Sequence, residues 1–155
     1  VDSDGNVVDG DKMLYILGKR LKSRGMLNDD TVVATIMSNS GFINSLAAEG
    51  IKCVQTDVGD RFVYESMQNN DFSLGGEQSG HIILKKYATT GDGILTAIMI
   101  AEEMCDRKSS LSSLVEPLTL YPQYMINVRV KDKSAIKKMI KEYKLNKILS
   151  CSEKW

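Results

Sequence analysis

The sequence predicts an α/β protein: a layered mixed sheet, at least partly parallel, with helices on both faces. Three observations carry this. Short β-branched runs alternate with segments of helical periodicity, the connections between them are short, and the run Thr31 to Met37 is apolar enough for a strand covered on both sides. The 155 residues are 43% hydrophobic and 26% charged, ordinary for a globular chain and enough for a core without disulfide staples.

Each element has its own signal. Asp9 or Asp11 can cap a helix carrying Met13, Leu14, Ile16, Leu17 and Leu21, closed by Lys22, Arg24 and Gly25. Thr31 to Met37 follows as the first strand. Phe42 to Ala48 reads as a short helix ended by Gly50, and Ile51 to Thr56 as the second strand. Asp60, placed as a cap, opens a helix to Asn69 with Phe62, Val63 and Met67 inward. Phe72 to Leu74 and His81 to Leu84 are two short strands around a glycine-rich turn. Asp92 caps a long helix bearing Ile94, Leu95, Ile98, Met99, Ala101 and Met104. Glu116-Pro117 reads as a boundary, followed by a strand over Thr119 to Val130, interrupted by Pro122, and a Lys-rich helix over Ser134 to Lys144.

The organisation expected is three pieces. Residues 1–8 are the end of a preceding unit, with Asp4-Gly5 as a hairpin turn; residues 9–117 are one α/β domain; residues 118–155 are a linker and the start of a following unit. Charge supports the division. Residues 1–128 hold 11 basic and 17 acidic side chains, a balance of −6, whereas residues 129–155 hold 9 and 3, a balance of +6. Their sum is zero, which argues against a general nucleic-acid binder. No run of 18 apolar residues offers a membrane span. The three cysteines, Cys53, Cys105 and Cys151, lack CxxC spacing, so the expected setting is a reducing, cytoplasmic one without a zinc site.

The strongest chemical feature is Gly75-Gly76-Glu77-Gln78-Ser79-Gly80-His81. On an extended segment Glu77, Ser79 and His81 share one face. They present a carboxylate acceptor, a hydroxyl that both donates and accepts, and an imidazole, an inventory suited to a polyhydroxylated ligand. Spacing alone fits a hairpin turn with polar tips equally well. Ser79 and His81 as nucleophile and base lack a GxSxG elbow and an orienting group. Val58-Gly59-Asp60-Arg61 joins a strand to a helix, where ligands sit in α/β sheets, and Arg61 has the reach to meet a phosphate or carboxylate. Asp2 to Asn6 resembles a calcium loop but fails its count, with Val7 where the glycine belongs and Met13 where the glutamate belongs.

Taken together, SLGGEQSGHIIL and YATTGDGILTA resemble the third domain of the α-D-phosphohexomutase superfamily, and within it the phosphoglucosamine mutase family. VVDGDKMLYILGKRLKSRG, TVVATIMSNSGF, TDVGDRFVYESM and YPQYMINVRVKDK match in the same order, so the resemblance runs to about Lys133. GGEQSGH with VGDR is a specific pair. The resemblance implies a parent enzyme of four domains around one cleft, interconverting glucosamine 6-phosphate and glucosamine 1-phosphate for cell-wall precursors. A phosphoserine in the first domain transfers the phosphoryl group, an aspartate-rich loop in the second holds Mg²⁺, the third recognises sugar hydroxyls and the fourth grips the substrate phosphate. Glucosamine or glucose 1,6-bisphosphate is the implied activator. Glu77 and Ser79 are then the hydroxyl contacts, with His81, Asp60 and Arg61 beside them, and Ser38 and Asn39 as further cleft-lining residues. Phosphomannomutase or phosphoglucomutase chemistry and a non-catalytic carbohydrate module are the alternatives.

The sequence has no TASHNP-like serine, no DGDxDR metal loop and no RxSGTEP-like phosphate loop. Phosphoryl transfer needs in-line positioning and charge neutralisation, so no catalytic or metal-binding residue is assigned and the isolated chain is expected to be inactive. The expected partners are a hexosamine phosphate and the other three domains. The family's dimers use a first-domain surface, so this chain is expected to be a monomer.

Overall fold

A computed structural model describes residues 1–123. The first helix, α1 (Gly10–Ser23), starts where the Asp9 side chain accepts the Lys12 N–H. A cap of this kind contributes about 1 kcal/mol. Asp9 is therefore the cap, and Asp11 turns inward instead. Leu14, Ile16, Leu17 and Leu21 are buried as the spacing predicts, Met13 is only half-buried, and Tyr15 is buried as well, so α1 is covered over most of its circumference.

The strands are β1 (Thr31–Thr35), β2 (Lys52–Thr56), β3 (Leu74–Gly76) and β4 (Ile82–Leu84), in the order β2-β1-β3-β4. Strand β1 pairs parallel with β2, Thr31 opposite Lys52 through Thr35 opposite Thr56, and parallel with β3. Strand β4 returns antiparallel to β3, Gly76 opposite Ile82. Gly75 and Gly76 thus belong to a strand and not to the turn.

Every residue of β1 is buried, because helices cover both faces. The period of two is visible in the packing. Val32 and Ala34 join the core beneath α1, α2 (Ser40–Ala48) and α4 (Gly93–Arg107), while Val33 joins Val63, Met67, Phe72 and Ile83 beneath α3 (Asp60–Asn69). The sheet is therefore mixed, with helices on both faces. A short helix, α5 (Leu111–Val115), packs beside α1.

Some local expectations differ. Helix α2 starts at Ser40, two residues before the expected Phe42, and Asn39 caps it by accepting the Gly41 N–H. The N-cap of α3 is Gly59, with no side-chain cap, and Asp60 instead accepts the Arg61 N–H. Phe62 is 45% exposed, while Val63 and Met67 are fully buried, because a ten-residue helix on a three-strand face seats only one narrow stripe. In α4, Met99 and Ile100 are buried but Ile94 and Ile98 face outward. Thr96 and Glu103 take the inward places, Glu103 pairing with Arg20 of α1.

Residues 1–8 hold a turn closed by Asp2 and Asn6, with no strand ladder, so the expected hairpin does not form. Packing continues past 117: Leu118 is buried, and Thr119 to Gln123 run without a helix or strand. The rest of the strand expected to Val130, and the helix expected over Ser134 to Lys144, lie outside the described residues.

Candidate functional site

Strands β1, β2 and β3 run parallel, so their carboxyl ends open on one edge, where α/β sheets bind ligands. A hollow of about 480 Å³ lies there, lined by Thr35 and Met37 after β1, Val58 after β2, Glu77, Gln78 and Ser79 after β3, and Asp9 before α1. Sequence reasoning singled out Glu77 and Ser79. It assigned Asp9 only to capping, gave Val58 and Gln78 no role within their motifs, and passed over Thr35 and Met37. Their shared signal is position within a few residues of a strand's carboxyl end, readable only once strand directions are known.

The loop after β3 is a tight turn and not an extended segment. Glu77 N–H donates to the His81 carbonyl at 3.0 Å, and Gly80 N–H donates to the Glu77 carbonyl at 3.0 Å. The chain reverses, so Glu77, Ser79 and His81 do not share one face. Glu77 and Ser79 line the hollow, whereas His81 turns toward the lead-in to α4, its Nε2 accepting the Gly91 N–H at 3.2 Å. That bond places the proton of the neutral ring on Nδ1.

The two motifs that look separate in sequence meet here. Glu77 Oε1 accepts the Gly59 N–H at 3.1 Å, and His81 Nε2 lies 3.6 Å from Asp60 Oδ2. The first contact fixes the carboxylate while Oε2 has no partner among the described residues, leaving an oriented acceptor at the hollow. Gly10 braces the loop from beneath. Its N–H donates to the Gln78 carbonyl at 2.9 Å, and a Cβ at this position would stand 1.9 Å from the Glu77 carbonyl oxygen, so only glycine permits the approach.

The other candidates lie elsewhere. Arg61 points along α3 and pairs with Glu65 at 2.8 Å, its side chain 81% exposed. Ser38 and Asn39 are 4% and 5% exposed and do not line the hollow. Asp11, fully buried beside them, accepts the Asn39 N–H at 2.8 Å, and burial pushes its carboxyl pKa up. Among the described residues no three His, Cys, Asp or Glu side chains gather in a group able to hold a metal ion. A second hollow, of about 440 Å³, opens at the opposite end of the strands around Leu21, Met26 and Leu84. Its rim groups are bonded to one another, Lys85 and Asn28 both to Asp71, so it offers few free polar groups.

The described residues include no helix long and apolar enough to cross a membrane. Cys53 and Cys105 are free thiols.

Comparison with known proteins agrees with this geometry. The family model for "Phosphoglucomutase/phosphomannomutase, alpha/beta/alpha domain III" matches residues 9–121. The phosphoglucosamine mutase of Bacillus subtilis is 53% identical over 133 residues, covering 86% of this chain and 30% of that protein. The phosphoglucosamine mutase of Limosilactobacillus reuteri is 46% identical over 154 residues, covering 99% of this chain and 34% of that protein. The chain therefore spans about a third of the curated relatives it matches. A crystal structure of Aspergillus fumigatus N-acetylphosphoglucosamine mutase with GlcNAc-6P and magnesium shares the fold, with a TM-score of 0.65 at 17% identity over 84% of this chain and 32% of that one. The chain belongs to the phosphoglucomutase/phosphomannomutase α/β/α domain III family, and is homologous to the third-domain region of phosphoglucosamine mutases.

Proposed function

We propose that this chain is the sugar-recognition part of a phosphoglucosamine mutase, an isomerase that interconverts glucosamine 6-phosphate and glucosamine 1-phosphate through a phosphoserine and a bisphosphate intermediate. The observation that carries it is the Glu77 carboxylate, held at Oε1 by Gly59 and unpartnered at Oε2 among the described residues, beside the Ser79 hydroxyl in one hollow. A fixed acceptor next to a hydroxyl suits vicinal sugar hydroxyls, which each need to donate and accept. Such a site discriminates against analogues lacking the hydroxyl, because its polar groups would be left unpaired.

Asp60 and His81 form the wall between the two loops, and Arg61 turns into the cleft only by leaving Glu65. Residues 1–8 are taken as the end of the preceding domain and residues 118–155 as the way into the following one. The other three domains supply the phosphoserine, the Mg²⁺ loop and the phosphate-binding loop. A magnesium complex is described for the Aspergillus fumigatus relative, and that protein's complex also holds a hexosamine phosphate, GlcNAc-6P. Among the described residues no three His, Cys, Asp or Glu side chains gather to hold Mg²⁺, so its ligands would come from another domain. The parent would act in the cytoplasm, on the way to peptidoglycan precursors, with glucosamine or glucose 1,6-bisphosphate as activator.

The test is Glu77→Ala in the full-length mutase carrying this segment. Losing a hydrogen bond to a charged acceptor is expected to lower kcat/KM for glucosamine 6-phosphate by about 10–100-fold. The circular dichroism spectrum should be unchanged. Wild-type turnover in the variant would overturn the assignment.

A further inference from the structure

Among the described residues after Val115, up to Gln123, there is no helix or strand, yet Leu118 to Gln123 is fastened repeatedly. Leu118 inserts into the core, and Thr119 N–H donates to Ser45 Oγ at 3.2 Å. Tyr121 meets Asn39 twice: its N–H donates to Asn39 Oδ1 at 3.0 Å, and its carbonyl accepts from Asn39 Nδ2 at 2.8 Å. One side-chain amide thus pairs with both backbone groups of a residue, as a neighbouring strand would. Gln123 Nε2 then donates to the Met37 carbonyl at 3.2 Å. Met37 lines the same hollow as Glu77 and Ser79.

Asn39 is committed elsewhere as well. Its Oδ1 also accepts the Gly41 N–H at 2.8 Å, capping α2, and its own N–H donates to Asp11 Oδ2 at 2.8 Å. Gly41 lets the departing segment lie close, since a Cβ there would stand 2.0 Å from the Thr119 carbonyl oxygen. Capping α2 would be served equally by Ser, Thr or Asp. Only a planar amide adds an acceptor and a donor at the spacing of one residue's N–H and C=O.

We propose that Asn39 is a positioning residue: it clasps the departing segment Thr119–Gln123 to the site end of the sheet, and Asp11 holds the clasp in place. The clasp fixes the point at which the chain leaves this unit, next to the hollow and not at the end of α5. It does not depend on what the hollow binds, so its test is independent of the sugar-recognition reading.

The experiment is residue-resolved amide hydrogen exchange on the 155-residue chain, comparing wild type, Asn39→Ser and Gly41→Ala. Serine keeps the cap and removes the two-point pairing. Alanine leaves Asn39 whole and pushes against Thr119. In both variants the Tyr121 amide is expected to exchange at least about tenfold faster, the loss of roughly one hydrogen bond. In Asn39→Ser, the Gly41 and Ile43 amides are expected to stay within about twofold of wild type, on the same warrant that the cap survives. Unchanged Tyr121 exchange in Asn39→Ser overturns the clasp, as does equal acceleration of Gly41 and Ile43, which would leave only a capping role. If Asn39→Ser does not fold, unchanged Tyr121 exchange in Gly41→Ala overturns it instead.

Discussion

Asp11 carries an ionisable group into a place with no exposure, receives one N–H from Asn39, and has no partner for Oδ1 among the described residues. The buried Ser38 hydroxyl beside it likewise has no partner among the described residues. Burial raises the Asp11 pKa, opposed by the Asn39 N–H and reinforced by the Asp9 charge. A raised carboxyl opposes folding when ionised, and this penalty fades as pH falls through the raised value, where the native state protonates first. Asp11→Asn keeps an acceptor for Asn39 and removes the charge, so it is expected to be more stable than wild type at pH 7, by about 1 kcal/mol. That advantage should shrink on going to pH 4.5. Urea denaturation at both pH values is the measurement, and a pH-independent difference would show that the charge is not the cause.

Between elements, the contact of α1 with α4 is electrostatic at its centre. Arg20, its side chain 2% exposed, donates to Glu103 at 2.6 Å, Asp106 at 2.8 Å and Glu102 at 2.7 Å. Removing one partner of a buried pair strands the other, so Arg20→Ala is expected to cost about 3 kcal/mol. An apolar replacement of both, Arg20→Met with Glu103→Leu, should cost less than the single change. Chemical denaturation of the two variants distinguishes a pair needed for stability from one that only has to be complete. The hydrogen bond from Arg20 also holds the Asp106 carboxyl below its ordinary range. Its contribution has the opposite sign to that of Asp11: present above the ordinary carboxylate range and lost as pH falls through the lowered value.

The same contact shows what periodicity left undecided. The spacing in Gly93–Arg107 identifies a helix, and Asp92 is its cap by accepting the Leu95 N–H. But apolar residues occur around the whole helix, and Arg20, 83 positions from Glu103, decides which side turns inward. Ile94 and Ile98 are left outside for that reason. Phe62 is a milder case, since α3 has one face of the sheet to cover and Val63 with Met67 fill it. In β1 the apolar run marks the start at Thr31, but the strand ends at Thr35, two residues short of the expected Met37, and Ile36 is 58% exposed.

At the scale of the whole molecule, the described residues offer a hollow lined by the Glu77 carboxylate and the Ser79 hydroxyl and no cluster able to hold a metal, and the chain spans about a third of its curated relatives. Positioning and charge neutralisation are the bulk of phosphoryl-transfer catalysis. The 155-residue chain alone, given glucosamine 6-phosphate, Mg²⁺ and glucose 1,6-bisphosphate, is therefore expected to show no formation of glucosamine 1-phosphate in a coupled assay. Turnover above the buffer blank would place the chemistry within this segment. The chain is also expected to run as a monomer in sedimentation.

The sequence by itself determined the order and type of α1 to α4 and of the four strands, the layered α/β class, the cap at Asp92, and the motif pair GGEQSGH and VGDR, and it narrowed the α1 cap to Asp9 or Asp11. These are local properties: periodicity, capping chemistry and short-range spacing fix them within a few residues. Tertiary structure alone decided that Glu77 is anchored by Gly59, that His81 turns away to Gly91, that Gly10 braces the loop, and that Asn39 is a buried clasp. Each of those joins groups distant in the chain, 18 residues apart for Glu77 and Gly59 and 82 for Asn39 and Tyr121. Parallel strand pairing brings such ends together, and no local pattern records which ends will meet.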